Sequence, residues 1–201
     1  MPAILNPFMP IYIYKMTPST QAGYYHYTLT RGNITYESDY EEYALFSPGN
    51  DHEIGQTLSG MRLIEISGQT NYIVVYFFMD QVAVFHESQV PPLDLSTASI
   101  TDMKLASLAY APGLGPEKDS QDSQLIQDVI TTLTEGNPTP SPVGGSPDKY
   151  VLFLSGGDLT GMQYGVGVYV DSSGGVYLAR DTLSKDWFQA SPLFTQWATT
   201  P

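Results

Sequence analysis

The stretch that decides the fold is residues 61–86, which reads MRLIEISGQTNYIVVYFFMDQVAVFH. It contains three apolar runs, at residues 61–66, 72–78 and 82–86, separated by short groups of turn-forming residues. Runs of this kind, rich in β-branched and aromatic residues, are typical of strands joined by turns. The middle run is apolar at successive positions, which indicates a central strand buried on both faces. The stretch therefore predicts a three-stranded meander.

Strand signals continue on both sides of this meander. Alternation and turn residues predict further strands at residues 11–14, 24–30, 34–37, 99–109, 150–154, 163–170 and 175–179. For residues 99–109 a strand is favoured over a poor helix. The sequence RGN at residues 31–33 favours a turn, and DSSGG at residues 171–175 favours a hairpin. Residues 53–60 have no clear period, so no element is assigned to them.

One segment, residues 120–135, has the periodicity of a helix. Its apolar residues form one stripe at helical spacing: Leu125, Ile126, Val129, Ile130 and Leu133. Asp119, Ser120 and Asp122 provide capping oxygens and negative charge at the expected start of the helix. Gly136 follows as a C-terminal cap. The segment predicts a helix that packs its stripe on a sheet.

These patterns together predict an α+β fold, with mostly antiparallel β meanders and one principal helix at about residues 120–135 packed on a sheet. We expect an N-terminal β-rich lobe at residues 1–90 and a C-terminal α+β lobe at residues 91–201, with a single globular unit as the alternative. Residues 63–84 and 152–178 share one pattern, in which a predicted strand is followed by Ser-Gly and then by a second predicted strand. This echo indicates either two related lobes or the alternation common to all meanders. The aromatic residues after Arg180 are expected to dock on the core.

Composition excludes several classes of partner and site. The 201 residues include 8 Lys and Arg against 21 Asp and Glu, a formal charge of −13 that repels nucleic acid and anionic lipid. The chain has no cysteine, so disulfides, thiolate nucleophiles and cysteine metal sites are excluded. No apolar stretch approaches the roughly 18 residues of a membrane span. We therefore expect no nucleic-acid partner and no transmembrane segment.

The metal candidates are the neighbouring residues Asp51, His52 and Glu53, which combine carboxylate and imidazole ligands. The alternative is a solvated acidic loop, because three consecutive side chains converge poorly on one ion. The acidic residues between Glu37 and Glu53 offer oxygen ligands suited to calcium, with a solvated loop or edge strand again as the alternative.

Sequence motifs for catalysis and cofactor binding are absent. The glycine-rich stretch at residues 156–161 lacks the Gly-Lys-Ser or Gly-Lys-Thr of a P-loop and predicts a turn. Neither Gly-x-Ser-x-Gly nor Ser-x-x-Lys occurs. We therefore assign no catalytic residue, no cofactor-binding residue and no cofactor. The carboxylates of a glycan hydrolase can be dispersed in sequence, so that activity stays open as an alternative.

Two stretches resemble a module of uncharacterised exported proteins and lipoproteins of Gram-positive gut bacteria. The first runs from IGQT at residues 54–57 through LIEISG and YIVV to residue 85. The second leads from ASIT at residues 98–101 through the helical stripe to strands ending at Arg180. The resemblance implies an extracytoplasmic, membrane-tethered domain, although the lipid-anchoring cysteine of such proteins is absent here.

These considerations give an expected function and location. We expect a non-catalytic binding, sensory or interaction module outside the cytoplasm, with a protein or cell-wall carbohydrate as its ligand. A glycan hydrolase and a calcium-dependent adhesion domain are the alternatives. The first residues are broken by Pro2, Pro7 and Pro10 and are unsuitable as a leader. An export signal is therefore expected upstream of Pro2.

Overall fold

The computed structural model describes nine segments of the chain. They are residues 12–21, 24–38, 44–45, 52–76, 82–91, 94–107, 117–140, 150–180 and 186–200. The chain divides into two compact units, residues 1–40 with 47–91 and residues 41–46 with 92–201. The described residues are mostly strand with two short helices, which agrees broadly with the predicted α+β class. The predicted lobe boundary at residues 90 and 91 stays a prediction.

The first unit is a closed seven-stranded barrel, which the sequence analysis did not predict. Its strands are β1 (Tyr12–Gln21), β2 (Tyr24–Arg31), β3 (Ile34–Ser38), β5 (His52–Thr57), β6 (Arg62–Glu65), β7 (Tyr72–Tyr76) and β8 (Val82–Glu87), while β4 (Ala44–Leu45) belongs to the second unit. Around the barrel the order is β1-β2-β3-β8-β7-β6-β5. The barrel closes where Tyr12, Ile13 and Tyr14 pair in parallel with Gly55, Gln56 and Thr57.

The barrel is filled by one cluster of apolar side chains drawn from most of its strands. Its buried members are Tyr14, Leu29, Tyr36, Leu63, Ile73, Val75, Ala83 and Phe85. The predicted meander is confirmed as β6, β7 and β8, which pair antiparallel in that order. Val74 is as completely buried as its neighbours Ile73 and Val75. The prediction that β7 is buried on both faces is therefore confirmed.

The second unit is built on one antiparallel sheet. Its strands are β9 (Asp102–Ser107), β10 (Lys118–Ser120), β11 (Tyr150–Ser155), β12 (Met162–Val170), β13 (Val176–Ala179) and β14 (Trp187–Gln189). They are ordered β10-β9-β11-β12-β13-β14, and β4 pairs with the start of β12. A single 3-10 turn at Gly157–Leu159 lies between β11 and β12, where the glycine-rich sequence predicted a turn. Within the described residues the predicted meander at residues 150–179 is thus confirmed.

The helix α1 (Ser123–Glu135) begins three residues later than predicted. Ser120, where the helix was predicted to begin, is instead the last residue of β10, which pairs with Met103–Leu105 of β9. Asp122 is the N-cap, because its Oδ1 accepts hydrogen bonds from the amides of Gln124 and Leu125. All five residues of the predicted stripe are buried. The helix and its buried face are therefore confirmed, and its start is corrected.

Five elements went unrecognised in the sequence, namely the short strands β4, β10 and β14, the strand β5 and the second helix. The strand β5 occupies residues that showed no period, and it contains a bulge between Glu53 and Gly55. The helix α2 (Pro192–Thr199) lies in the aromatic tail, with Ser191 accepting from the Phe194 amide. Ser191 followed by proline is a helix-start signal that could have been read. Phe188 and Phe194 are buried, which confirms that this tail docks on the core.

Candidate functional site

Four polar side chains lie in one row across the sheet of the second unit. Asp102 of β9 is paired with Ser155 of β11. The pairing of Leu154 with Tyr164 places Gln163 of β12 opposite Ser155 in the same register. The pairing of Ser120 with Met103 places Gln121 beside Asp102 in the same way. Because side chains alternate along a strand, these four lie on one face and Met103 and Leu154 on the other.

This row lines a polar cleft of about 480 Å³. We name it the polar cleft, and it is lined chiefly by Asp102, Lys104, Asp119, Gln121, Ser155 and Gln163. The volume lies within the about 300–1,000 Å³ typical of small-molecule sites. The cleft combines carboxylate, ammonium, amide and hydroxyl groups, so it can both donate and accept hydrogen bonds.

The charged groups of the polar cleft are held in place by neighbours. The Oδ1 of Asp102 accepts from Gln121 Nε2 at 2.6 Å, and its Oδ2 accepts from the Thr101 hydroxyl. These hydrogen bonds, that of Thr101 first, lower the pKa of Asp102. Lys104 Nζ lies 2.8 Å from Glu117 Oε2, and this hydrogen bond raises the pKa of Lys104. Asp102 and Lys104 therefore present fixed, ionised groups to the cleft.

Among the described residues, Gln163 carries the one buried side-chain polar atom that has no hydrogen-bond partner. Its side-chain oxygen Oε1 is buried and has no hydrogen-bond partner among the described residues. A buried acceptor without a donor costs about 1–3 kcal/mol. The cost is removed when the side chain turns toward the cleft, so that a donor there reaches the atom.

The cleft also contains a pair of carboxylates. Asp119 pairs with Lys104, which places it diagonally across from Asp102 on the same face. Diagonal neighbours of this kind lie about 7–8 Å apart, with their Cβ atoms somewhat closer. Glycoside hydrolysis requires such a pair, but one member must have a raised pKa to serve as the acid. The pKa of Asp102 is shifted in the opposite direction.

Two of the predicted metal residues, His52 and Glu53, pair with other side chains of the first unit. His52 Nδ1 lies 3.4 Å from Glu65 Oε2, and Glu53 Oε2 accepts from Arg62 Nε at 2.8 Å. Asp51 lies outside the described residues. Within the described ranges, no group of three or more His, Asp or Glu side chains is arranged to hold an ion. The site at Asp51, His52 and Glu53 stays a prediction.

None of the residues that line the polar cleft was identified as a site residue in the sequence. The alternation of Asp102 and Lys104 with Met103 and Leu105 was readable as a strand with one polar face. The presence of Ser155 and Gln163 on that face depends on register between distant strands. Local pattern carries no information about that register.

None of the described helices has both the length and the apolar character needed to cross a bilayer. Comparison of the chain with family models, with curated proteins and with solved structures finds no match.

Proposed function

We propose that this protein is a non-catalytic, extracytoplasmic binding module that holds a carbohydrate in the polar cleft. The observation that carries the proposal is the buried, unpaired Oε1 of Gln163 within a row of polar side chains. A sugar hydroxyl is a neutral donor of the kind this atom lacks. The extracytoplasmic part rests on composition and on the resemblance to exported proteins.

The chemistry of the row suits a ligand with several adjacent hydroxyl groups. Asp102 is ionised and accepts, while Ser155 and Gln121 can donate as well as accept. These groups follow one another across neighbouring strands, which are about 4.7–4.9 Å apart. A ring with vicinal hydroxyls can therefore meet two or three members of the row at once. Nucleic acid is a poor occupant because the chain carries a charge of −13.

A binding assay with a matched pair of variants tests the proposal. The probes are oligomers of N-acetylglucosamine, glucose and mannose, together with soluble peptidoglycan fragments. The affinity of each probe is measured by titration calorimetry. We expect Gln163→Leu to weaken binding roughly tenfold or more, since one ligand hydrogen bond is lost. The same variant should melt at a higher temperature, because an unsatisfied buried acceptor has been replaced by an apolar group. A purely structural role for Gln163 would lower the melting temperature instead.

The control is Gln189→Leu, which makes the same change at an exposed position on β14 outside the cleft. It should leave binding unchanged. Two results would contradict the proposal. One is that Gln163→Leu binds the probes with wild-type affinity. The other is that the wild-type protein binds none of them.

The hydrolase alternative is decided by the same probes. A hydrolase that used the carboxylates of the cleft would release reducing ends, and Asp102→Asn and Asp119→Asn would each abolish the release. We expect no release from the wild-type protein, because the lowered pKa of Asp102 makes it a poor proton donor.

A further inference from the structure

A second cavity of the second unit lies at the C-terminal end of α1. Its volume is about 350 Å³, and it is separate from the polar cleft in its lining residues. Leu95 and Tyr164 contribute buried walls, and Asp94, Glu135 and Arg180 contribute charges of both signs. We name it the charged cavity.

Arg180 is held on one edge of its guanidinium group. Its Nε and Nη2 donate to the carbonyl oxygen of Leu133 at 3.2 and 3.0 Å, near the end of α1. The group also lies over the Phe188 ring, 5.9 Å from its centre. A guanidinium has five N–H donors. The hydrogen bonds to Leu133 use one edge of the group, and the edge formed by Nη1 and the second Nη2 hydrogen remains for a ligand. That edge is a fork that fits both oxygens of a carboxylate.

The two acidic side chains are placed apart from this guanidinium. Neither Asp94 nor Glu135 forms an ion pair with Arg180 among the described residues. Asp94 is oriented by Ser96, whose amide and hydroxyl donate to its Oδ1 at 2.9 and 2.7 Å. Its Oδ2 is left for another donor. Glu135 closes the last turn of α1, where the helix dipole favours positive charge.

We propose that the charged cavity binds a small zwitterion, an α-amino acid or the zwitterionic form of a very short peptide. The ligand carboxylate occupies the outer edge of Arg180, and its ammonium group lies between Asp94 and Glu135. Asp94, Glu135 and Arg180 are all exposed. A simple anion would be repelled by the two carboxylates, and a simple cation would be repelled by the guanidinium. A zwitterion pairs all three charges, and the cavity volume lies within the about 300–1,000 Å³ of small-molecule sites.

The test uses the full chain with a panel of L- and D-amino acids and alanyl-alanine. Thermal melting at millimolar ligand identifies the best binder, because a ligand of the native state raises the midpoint. Calorimetry then compares that ligand with propionate, which lacks the ammonium group, and ethylamine, which lacks the carboxylate. We expect both analogues to bind roughly 10-fold to 100-fold more weakly, since each loses a charge-assisted hydrogen bond.

Two conservative variants give a crossed pattern that loss of folding cannot produce. Asp94→Asn keeps an oxygen for Ser96 but loses the charge, so it should weaken binding of the amino acid and not of propionate. Arg180→Lys keeps the charge but loses the fork, so it should weaken binding of the amino acid and not of ethylamine. Glu37→Gln, which removes an exposed carboxylate in the first unit, should change neither.

Specific outcomes overturn the assignment. The first is that no member of the panel shifts the midpoint of thermal melting. The second is that the amino acid and its single-charge analogues bind with equal affinity. The third is that both variants bind the amino acid with wild-type affinity. The result is independent of the carbohydrate assay, because the two cavities share no lining residue and Gln163 does not line the charged cavity.

Discussion

At the scale of single residues, Asp171 organises the hairpin between β12 and β13. Its Oδ1 accepts from the amide and hydroxyl of Ser173 and from the amide of Gly175, at 2.7 to 2.8 Å. Its Oδ2 accepts from the hydroxyl of Tyr177 at 3.3 Å. The Ser173 hydroxyl, followed by the Gly175 amide, lowers the pKa of Asp171 below its ordinary value of 3.8. The carboxylate therefore stabilises this turn more strongly when it is ionised than when it is protonated.

This shift predicts a pH dependence of stability. A carboxyl whose folded-state pKa is lowered stabilises the protein above its unfolded pKa, and the contribution is lost as pH falls through the folded value. Asp171→Asn keeps an oxygen for the same amides without the charge. We expect urea unfolding from about pH 5 downward to show a shallower loss of stability in the variant than in wild type. Equal slopes would mean that Asp171 contributes no acid sensitivity, and Glu37→Gln serves as the control for removing one charge.

At the scale of elements, β1 pairs along much of its length with a strand on only one side, as far as the described segments show. It pairs with β2 from Lys15 to Gln21 but with β5 only from Tyr12 to Tyr14. Tyr27 of β2 donates its amide to Ser38, away from β1, and Tyr27 is paired with Pro18. The nitrogen of Pro18 therefore faces the open edge. Because proline has no N–H, it interrupts this edge as a template for another strand.

Replacing Pro18 should make the open edge of β1 a better template for another strand, because the new residue has a backbone N–H. We expect Pro18→Thr to increase self-association with rising protein concentration, because threonine restores an edge donor and favours strands. Analytical ultracentrifugation of the variant and wild type measures the change. Pro138→Thr makes the same replacement at an exposed position outside any strand and should behave as wild type. A Pro18→Thr variant that sediments like wild type would show that other features protect the edge.

The predictability of each element follows from how local its signal is. The stripe of α1 and the runs of β6, β7 and β8 are periodic within a few residues, so the sequence predicted them. The barrel was missed because its closure depends on three residue pairs between β1 and β5, which are far apart in sequence. The polar cleft was missed for the same reason, since Asp102, Ser155 and Gln163 meet only through strand register. The start of α1 was misplaced because Ser120 and Asp122 are both suitable caps.

At the scale of the whole molecule, the charge of −13 on 201 residues is the dominant electrostatic feature. Like charges repel one another in the compact state, and salt weakens that repulsion. Raising NaCl from about 0.01 M to about 0.15 M shortens the screening length from about 30 Å to about 8 Å. We expect the melting temperature to rise, by about 2–4 °C for each kcal/mol gained.

Calcium chloride at equal ionic strength provides the comparison. An equal rise with both salts is expected from screening alone. A larger rise with calcium would instead support the calcium-binding alternative for the acidic residues between Glu37 and Glu53. A fall in melting temperature with NaCl would contradict the expectation that net repulsion limits stability.

The position of β4 has a consequence for the order in which the protein can be made. Ala44 and Leu45 leave the ribosome long before Met162 and Gln163, the residues with which they pair. The nascent chain must therefore carry this short strand without its partner while the later barrel strands, β5 to β8, are synthesised. The second unit is thus discontinuous in the gene, and no contiguous fragment from residue 92 onward encodes its complete sheet.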